Sequence, residues 1–206
     1  MEKFLLTQKL GMSQIYNEKG RVVPVTLLWV EKNLVTEVRT EGKNGYKAVQ
    51  VGAGLKKKGS SPLQGHVKGL VSKGVFKWIR EYRLPVDRET SLKRGDEMPI
   101  ANFGVGDRVR ISGVSKGKGF EGVVKRWGFH GSPKTHGTKN THRAPGSIGS
   151  SFPQHVRKGM KMGGRGGGDK KSVYMSVVKV DQESRVIMVD GPVPGTRGSL
   201  VEIRGV

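Results

Sequence analysis

The chain of 206 residues carries 38 Lys and Arg against 17 Asp and Glu, a formal net charge of +21. This length is typical of one domain, or of one domain with an appendage. Because cysteine is absent, a disulfide framework and a thiolate metal site are excluded. No apolar run approaches the ~20 residues that span a bilayer. Residues 1–6 lack the apolar stretch of a secretory signal, so a cytosolic location is expected. The charge favours a polyanionic partner.

Short strands are predicted towards both ends of the chain, with one short helix at residues 75–82. In the strand at 108–112, Val109 and Ile111 face one way while Arg108 and Arg110 face the other. Because strands precede and follow a segment of different composition, a sheet or barrel built from both chain ends is expected. In chain order, the predicted strands are 22–30, 35–39, 46–51, 108–112, 174–180, 185–189 and 200–203.

A basic, glycine-rich segment separates the two groups of strands. Residues 115–172 carry 13 basic and 2 acidic side chains, 14 glycines and four of the five histidines, and no acidic residue lies between Gly122 and Gly168. Such a segment buries little apolar surface and should not fold stably alone. It is also too long for an ordinary connection. We therefore predict a globular β-domain from residues 1–114 and 173–206, with 115–172 as a basic extension.

A glycine motif in this segment matches a nucleotide-binding pattern only formally. Gly117, Gly119 and Gly122 have the required spacing, but a dinucleotide site needs an acidic residue ~20 positions on, and none occurs before Asp169. A kinase would need His-Arg-Asp, whereas the His-Arg pair here is followed by Ala144. The interpretation is a basic loop whose backbone approaches phosphates closely because glycine has no Cβ.

The histidines at 130, 136 and 142 recur every six residues, which raises the question of a metal site. Six is not the spacing of one helix face, and the segment offers neither cysteine nor a carboxylate to complete or orient a ligand set. For the same reason no catalytic residue is predicted, since no acid is present to orient a histidine. Stacking on bases or contact with phosphates is the interpretation for these histidines. Trp127 and Phe129 could be core residues, but their basic surroundings favour stacking on bases or wedging into RNA. Lys56–Lys58 are either an RNA contact or a solvated loop.

Six short blocks follow one another along the chain. They are 11–16, 45–50, 115–122 with 125–127, 136–137 with 142–149, 158–163 and 190–195. One block alone is weak, but six in order are specific. In this order they resemble the universal L-three family of large-subunit ribosomal proteins, in its short bacterial form.

The resemblance implies a fold, a role and a set of partners. The fold is mainly β: a six-stranded Greek-key barrel of the translation-factor type, with a long irregular basic extension and a few short helices. The role is structural, not enzymatic: the protein binds large-subunit ribosomal RNA near its 3′ end, early in assembly, and extends toward the peptidyl transferase centre. The partners are that RNA and neighbouring large-subunit ribosomal proteins, in a cytoplasmic or organellar ribosome, without cofactor, metal, membrane or homo-oligomer.

Two other classes of function stay open. The first is a nucleic-acid enzyme such as an RNA-modifying protein, against which the missing acids count. The second is a basic protein that binds the nucleoid or an anionic membrane; membrane binding would favour an amphipathic helix of high moment, and the sequence shows none. Co-sedimentation with large ribosomal subunits discriminates among them.

Three positions depart from the family pattern that the sequence resembles. Arg110 stands where Asp or Asn is usual, and Gly128 replaces the usual Asn after the tryptophan. Ser150 occupies a position where many bacterial members carry an N-methylated glutamine, so that modification cannot occur here.

The extension is expected to form a hairpin-like loop with its tip within residues 141–154. Two basic limbs, at residues 125–139 and 157–165, would supply affinity for RNA, while the tip would supply little. The predicted tip residues are Arg143, Pro145, Gly146, Ser147, Ile148, Gly149 and Ser150. The predicted RNA-binding residues are Lys116, Lys118, Lys125, Arg126, Trp127, His130, Lys134, His136, Lys139, His142, Arg143, Arg157, Lys158, Lys161 and Arg165.

Overall fold

The computed structural model describes residues 3–85 and 90–206, so residues 1–2 and 86–89 of the predicted globular range lie outside it. The chain divides into two compact units. One is formed by Met1–Val114 with Lys170–Val206, and the other by Ser115–Asp169. The second part of the first unit starts three residues before the predicted boundary, because a strand begins at Lys170. No helix in the described part is long and apolar enough to cross a membrane.

Strands dominate the secondary structure and the helices are short, as predicted. In chain order the strands are β1 (Phe4–Tyr16), β2 (Val22–Trp29), β3 (Asn33–Arg39), β4 (Ala48–Lys56), β5 (Val75–Arg83), β6 (Arg108–Val114), β7 (Phe120–Glu121), β8 (Gly164–Arg165), β9 (Lys170–Asp181), β10 (Val186–Asp190) and β11 (Leu200–Gly205). The helices are α1 (Glu41–Asn44), α2 (Ser61–His66) and α3 (Val123–Trp127), with a 3-10 turn at Ile100–Asn102.

Six strands of the first unit form a closed barrel in the order β1-β11-β6-β9-β10-β2. Every neighbouring pair is antiparallel, and β1 closes the ring by pairing with both β11 and β2. The predicted alternation in β6 is confirmed, because Val109 and Ile111 are fully buried while Arg108 and Arg110 are exposed. Leu28 is likewise fully buried in this core.

A second sheet, β3-β4-β5, belongs to the same unit and shares its hydrophobic core. The ring of Phe4 on β1 stacks on the ring of Tyr82 on β5, with centroids 5.1 Å apart. Asn33 is buried at the start of β3 and exchanges two hydrogen bonds with the backbone of Leu6, at 2.9 and 3.0 Å. These contacts cover the outer side of β1, so its first residues are buried on both faces.

The helix predicted at residues 75–82 is wrong, since this segment is the strand β5. It pairs with β4 from Lys56↔Val75 to Ala48↔Arg83. Aromatic and β-branched residues fill the segment and favour a pleated sheet, whereas a helix of two turns would gain little by itself. Phe76 fits there because Gly52 on β4 has no side chain, and a Cβ at that position would lie 2.5 Å from the ring.

Candidate nucleic-acid interface

The Ser115–Asp169 unit begins and ends in two limbs that are hydrogen-bonded to each other. The strands β7 and β8 pair through Phe120↔Arg165 and Glu121↔Gly164. Further backbone bonds join the Ser115 amide to the Asp169 carbonyl at 2.9 Å and the Lys118 amide to the Gly166 carbonyl at 2.8 Å. The base of the predicted extension is therefore an antiparallel hairpin.

Glycine is required in the second limb because the first limb approaches it closely. At Gly167, φ is +69°, and an added Cβ would collide with the Lys116 carbonyl oxygen. At Gly166, an added Cβ would collide with the carboxylate of Glu121. The left-handed conformation and the close approach both favour glycine, which explains part of the glycine run at 163–168.

A short helix fixes the first limb against the second. The helix α3 ends at Gly128, whose φ of 74° places it in the left-handed region typical of a helix C-cap. From its last turn, the Trp127 Nε1 donates to the Met162 carbonyl at 2.8 Å, and Arg126 Nη1 donates to the same oxygen at 3.1 Å. We call this arrangement of Arg126, Trp127 and Met162 the clamp.

The clamp presents an aromatic ring beside cationic groups. The ring of Trp127 is 43% exposed, with the Arg126 guanidinium 5.1 Å and the Lys161 ammonium 5.6 Å from its centroid. The nearby carboxylate of Glu121 is mostly buried and pairs with Lys125 at 3.2 Å, one helical turn on. Proteins that bind single-stranded nucleic acid use an exposed ring among cations, since bases stack on the ring and phosphates contact the cations.

Beyond the clamp, the chain closes a smaller loop on itself. The Ser132 amide donates to the His142 carbonyl at 2.9 Å, and Nδ1 of His142 lies 3.3 Å from the Pro133 carbonyl oxygen. Gly131 has a φ of +76° and lies against the His142 backbone. This loop carries Lys134, His136 and Lys139, so the segment between α3 and residue 142 is not one extended limb.

The predicted tip residues are all exposed. Local hydrogen bonds shape this region, with the Ser147 hydroxyl donating to the Gly149 carbonyl at 3.0 Å and the Ser150 hydroxyl donating to the Phe152 carbonyl. A cleft of about 430 Å³ lies between residues 147–150 and a second stretch that includes His155 and Arg157. The Phe152 ring is 84% exposed.

Of the fifteen residues predicted to bind RNA, fourteen are exposed and His142 is half-buried. The structure brings two groups of them together. The base hairpin carries Lys116, Lys118 and Arg165, and the clamp carries or adjoins Lys125, Arg126, Trp127 and Lys161.

In the first unit, the side chains of Lys56–Lys58 are exposed as well. Two groups that hold the clamp region together, the Met162 carbonyl and the Glu121 carboxylate, were not predicted from the sequence. The four-residue spacing of Glu121 and Lys125 could have indicated their ion pair. Among residues 3–85 and 90–206, no three His, Asp or Glu side chains converge to hold a metal ion.

The chain thus combines a β-barrel unit with an acid-poor, cation-exposing insertion between β6 and β9. The family model described as Ribosomal protein L3 matches residues 89–184. Curated relatives named "Large ribosomal subunit protein uL3" match almost the whole chain. The protein of Herpetosiphon aurantiacus is 43% identical over 97% of this chain and 94% of its own length. Those of Dehalococcoides mccartyi and Acidothermus cellulolyticus are 41% and 42% identical, over 97% and 98% of this chain and 96% and 91% of their own lengths.

The chain therefore belongs to the uL3 family of ribosomal proteins, which confirms the resemblance found in its motifs. Members of this family are structural components of the ribosome and not enzymes.

Proposed function

We propose that this chain is a structural component of the large ribosomal subunit and binds large-subunit ribosomal RNA through its Ser115–Asp169 unit. The observation that carries the proposal is the charge of that unit. It holds 11 basic side chains and two acidic ones, Glu121 and Asp169, so its net charge is 11 − 2 = +9. Most of the cations are exposed, and one of the two carboxylates is already paired with Lys125. Most of that positive charge is thus available to phosphates.

Aromatic and glycine residues of the unit support RNA as the polyanion. The Trp127 ring offers a stacking surface between two cations. Glycines in the left-handed region, among them Gly128, Gly137 and Gly146, leave the backbone uncovered at turns where a phosphate can approach closely. Unpaired bases stack on such rings, which is how proteins recognise the single-stranded parts of folded RNA.

We infer a division of labour within the unit. The base hairpin, the clamp and the basic residues flanking the tip supply the affinity for RNA. The tip at residues 141–154 adds little affinity and is the part that reaches the destination within the subunit. Between the paired residues Glu121 and Gly164 lie 42 residues. At up to ~3.3 Å per residue, two limbs of about half that length reach tens of Å, even with part of the first taken up by the 132–142 loop. Family membership suggests the peptidyl transferase centre as the destination of the tip.

For the barrel, we infer the Greek-key type related to translation-factor barrels. In support, β6, β9 and β10 follow one another in the barrel, and β2 lies beside β10. Along the chain, β2 is joined to β6 by the long connection that carries the β3-β4-β5 sheet. Three neighbouring strands with a fourth that is joined to them by a long connection are typical of a Greek key. We also propose binding near the 3′ end of the RNA, early in assembly, beside other large-subunit proteins in a cytoplasmic ribosome.

Sedimentation of the native protein tests the proposal. A lysate of the source organism, prepared with physiological Mg²⁺, is separated on a sucrose gradient and the chain is followed with a specific antibody. We expect the chain to sediment with large subunits and whole ribosomes, and to move to the top when ribosomal RNA is digested. A chain that stays at the top of the undigested gradient would contradict the proposed function.

A further inference from the structure

A second cationic surface lies on the first unit, on the outward face of β11, β6 and β9. The register places Arg204 opposite Arg110, and Arg110 opposite Tyr174, so the three side chains form one row across the strands. In the next row, Ser112 lies between Glu202 and Ser172. Side chains opposite each other on neighbouring strands are ~4.5–5.5 Å apart at Cβ, and like charges at such positions destabilise a sheet.

The two arginines line a cleft between this face and the β3-β4-β5 sheet. Its volume is about 510 Å³, within the ~300–1,000 Å³ of small-ligand pockets. The stacked rings of Phe4 and Tyr82 line it, and the Arg204 guanidinium lies 4.6 Å from the Tyr82 ring centroid. A guanidinium that stacks on an aromatic ring keeps its in-plane N–H donors available for hydrogen bonds.

The carboxylates of the cleft are already committed to other cations. Glu202 pairs with Arg80 at 3.2 Å and with Lys170 at 2.7 Å. Burial raises the pKa of Glu81, but hydrogen bonds from Tyr46 and Arg39 outweigh it and hold that pKa below its ordinary value, so the carboxylate is ionised and partnered.

The arginines of the cleft have no such partners. Among the described residues, no ion pair involves Arg83, Arg110 or Arg204. The nearest polar partner recorded for Arg110 is the Ser172 hydroxyl at 3.4 Å. Two opposed guanidinium groups with free donors therefore face one open space.

We propose that this cleft binds a backbone phosphate of an RNA strand between Arg110 and Arg204, with Tyr174 as the stacking surface for an adjacent base. A phosphate accepts hydrogen bonds from two guanidinium groups at once and removes the repulsion between them. Tyr174 favours a nucleotide over an acidic peptide, because its ring is 55% exposed on the same face and lies 5.8 Å from the Arg108 guanidinium. The inference rests on the proposed function for the RNA, but assigns a contact outside the Ser115–Asp169 unit.

Salt-dependent binding of the full chain tests this site. The probe is the in vitro transcript of the source organism's large-subunit ribosomal RNA, and the variants are Arg110→Ser and the charge-matched Arg21→Ser, at an exposed residue of the β1–β2 turn. We expect Arg110→Ser to weaken binding by about tenfold relative to Arg21→Ser. The slope of log K against log salt should become shallower by about 0.7–0.9, the value for one phosphate contact. Arg110→Lys, which keeps the charge and loses the bidentate geometry, should recover the slope.

Thermal unfolding of the free variants separates binding from folding. Because Arg110 faces Arg204, Arg110→Ser should melt no lower than Arg21→Ser. Equal binding by the two serine variants would overturn the inference, and so would weaker binding accompanied by a lower melting temperature, which would assign Arg110 to the fold. Failure of the wild-type chain to bind the transcript would instead contradict the proposed function.

Discussion

Gly167 and Gly168 are adjacent glycines with positive φ, but only the first lies against the opposite limb. Their φ angles are +69° and +77°. An added Cβ at Gly167 would collide with the Lys116 carbonyl, whereas a Cβ at Gly168 would have no atom within 4 Å. Alanine at either position strains the backbone, but only alanine at Gly167 also forces the two limbs apart. Comparing the two substitutions therefore separates these two effects.

We predict that Gly167→Ala opens the base hairpin and Gly168→Ala does not. The readout is amide exchange at Lys118 and Gly166, whose N–H groups bond across the hairpin at 2.8 Å. Protection at these amides should fall at least about tenfold further in Gly167→Ala than in Gly168→Ala, which corresponds to ~1.4 kcal/mol of local opening. Equal protection in the two variants would show that strain alone decides these positions.

Trp127 illustrates what a sequence reveals of a single residue. Its place among cations in the sequence predicts a stacking role, which stays a prediction; the structure shows a half-exposed ring with Arg126 and Lys161 beside it. Its Nε1 bond to the Met162 carbonyl was not predictable, because the partner is a backbone atom 35 residues away. Side-chain type suggests surface chemistry, whereas a long-range bond to the backbone depends on the fold.

At the scale of strands and helices, alternation predicted those elements that have one buried face. In β6, apolar and charged residues alternate, and burial follows that alternation up to Ile111. Phe4–Thr7 of β1 do not alternate in burial, because the β3-β4-β5 sheet covers the outer side of the barrel there. For β5 the period was misread, since its buried residues Val75, Phe76 and Tyr82 do not alternate either. Strands packed on two sides lack the apolar–polar alternation that predicts a strand.

The basic residues around the clamp and the tip give a prediction about assembly. Replacing Lys125, Arg126, Arg157 and Lys158 together with serine should strongly reduce incorporation into large subunits, because it removes four cations that we propose contact phosphates, together with the Arg126 bond to Met162. Replacing Arg143 or Ser150 alone should leave incorporation intact. It should change translation, or the action of drugs bound at the peptidyl transferase centre, which is the proposed destination of the tip. The measurement is the amount of tagged chain in purified subunits, together with translation by those subunits.

A quadruple variant of the barrel unit is the matched control. It replaces four exposed residues with serine: Lys19, Arg21, Lys179 and Arg197. Like the extension variant, it removes two lysines and two arginines and therefore the same charge. Incorporation of this control should exceed that of the extension variant. If single tip substitutions abolish incorporation while the extension variant assembles normally, the proposed division of labour is wrong.

On the scale of the whole molecule, charge density separates the two units. The first unit has 27 basic and 15 acidic side chains, a net charge of 27 − 15 = +12 over 151 residues, against +9 over the 55 residues of Ser115–Asp169. The sequence exposed this asymmetry directly because charge needs no fold to be counted. The closure of the 132–142 loop and the cleft at Arg110 were not predictable, since they depend on backbone pairing and on register between distant strands.

The central claim is that the Ser115–Asp169 unit supplies most of the affinity for ribosomal RNA. Because Glu121 and Gly164 are paired, residues 122–163 can be replaced by a two-residue Asn-Gly turn that closes the hairpin and leaves the barrel unit intact. Thermal unfolding of the shortened chain verifies that its core is folded.

The decisive measurement is the affinity of both chains for the large-subunit RNA transcript as salt is raised. If the unit neutralises ~6–10 phosphates, the affinity of the full chain should fall by roughly 10³–10⁵ between 50 and 200 mM salt. For the shortened chain the slope should be markedly flatter, with a small remainder from the barrel. An unchanged slope would place the main RNA-binding surface on the barrel unit and contradict the account.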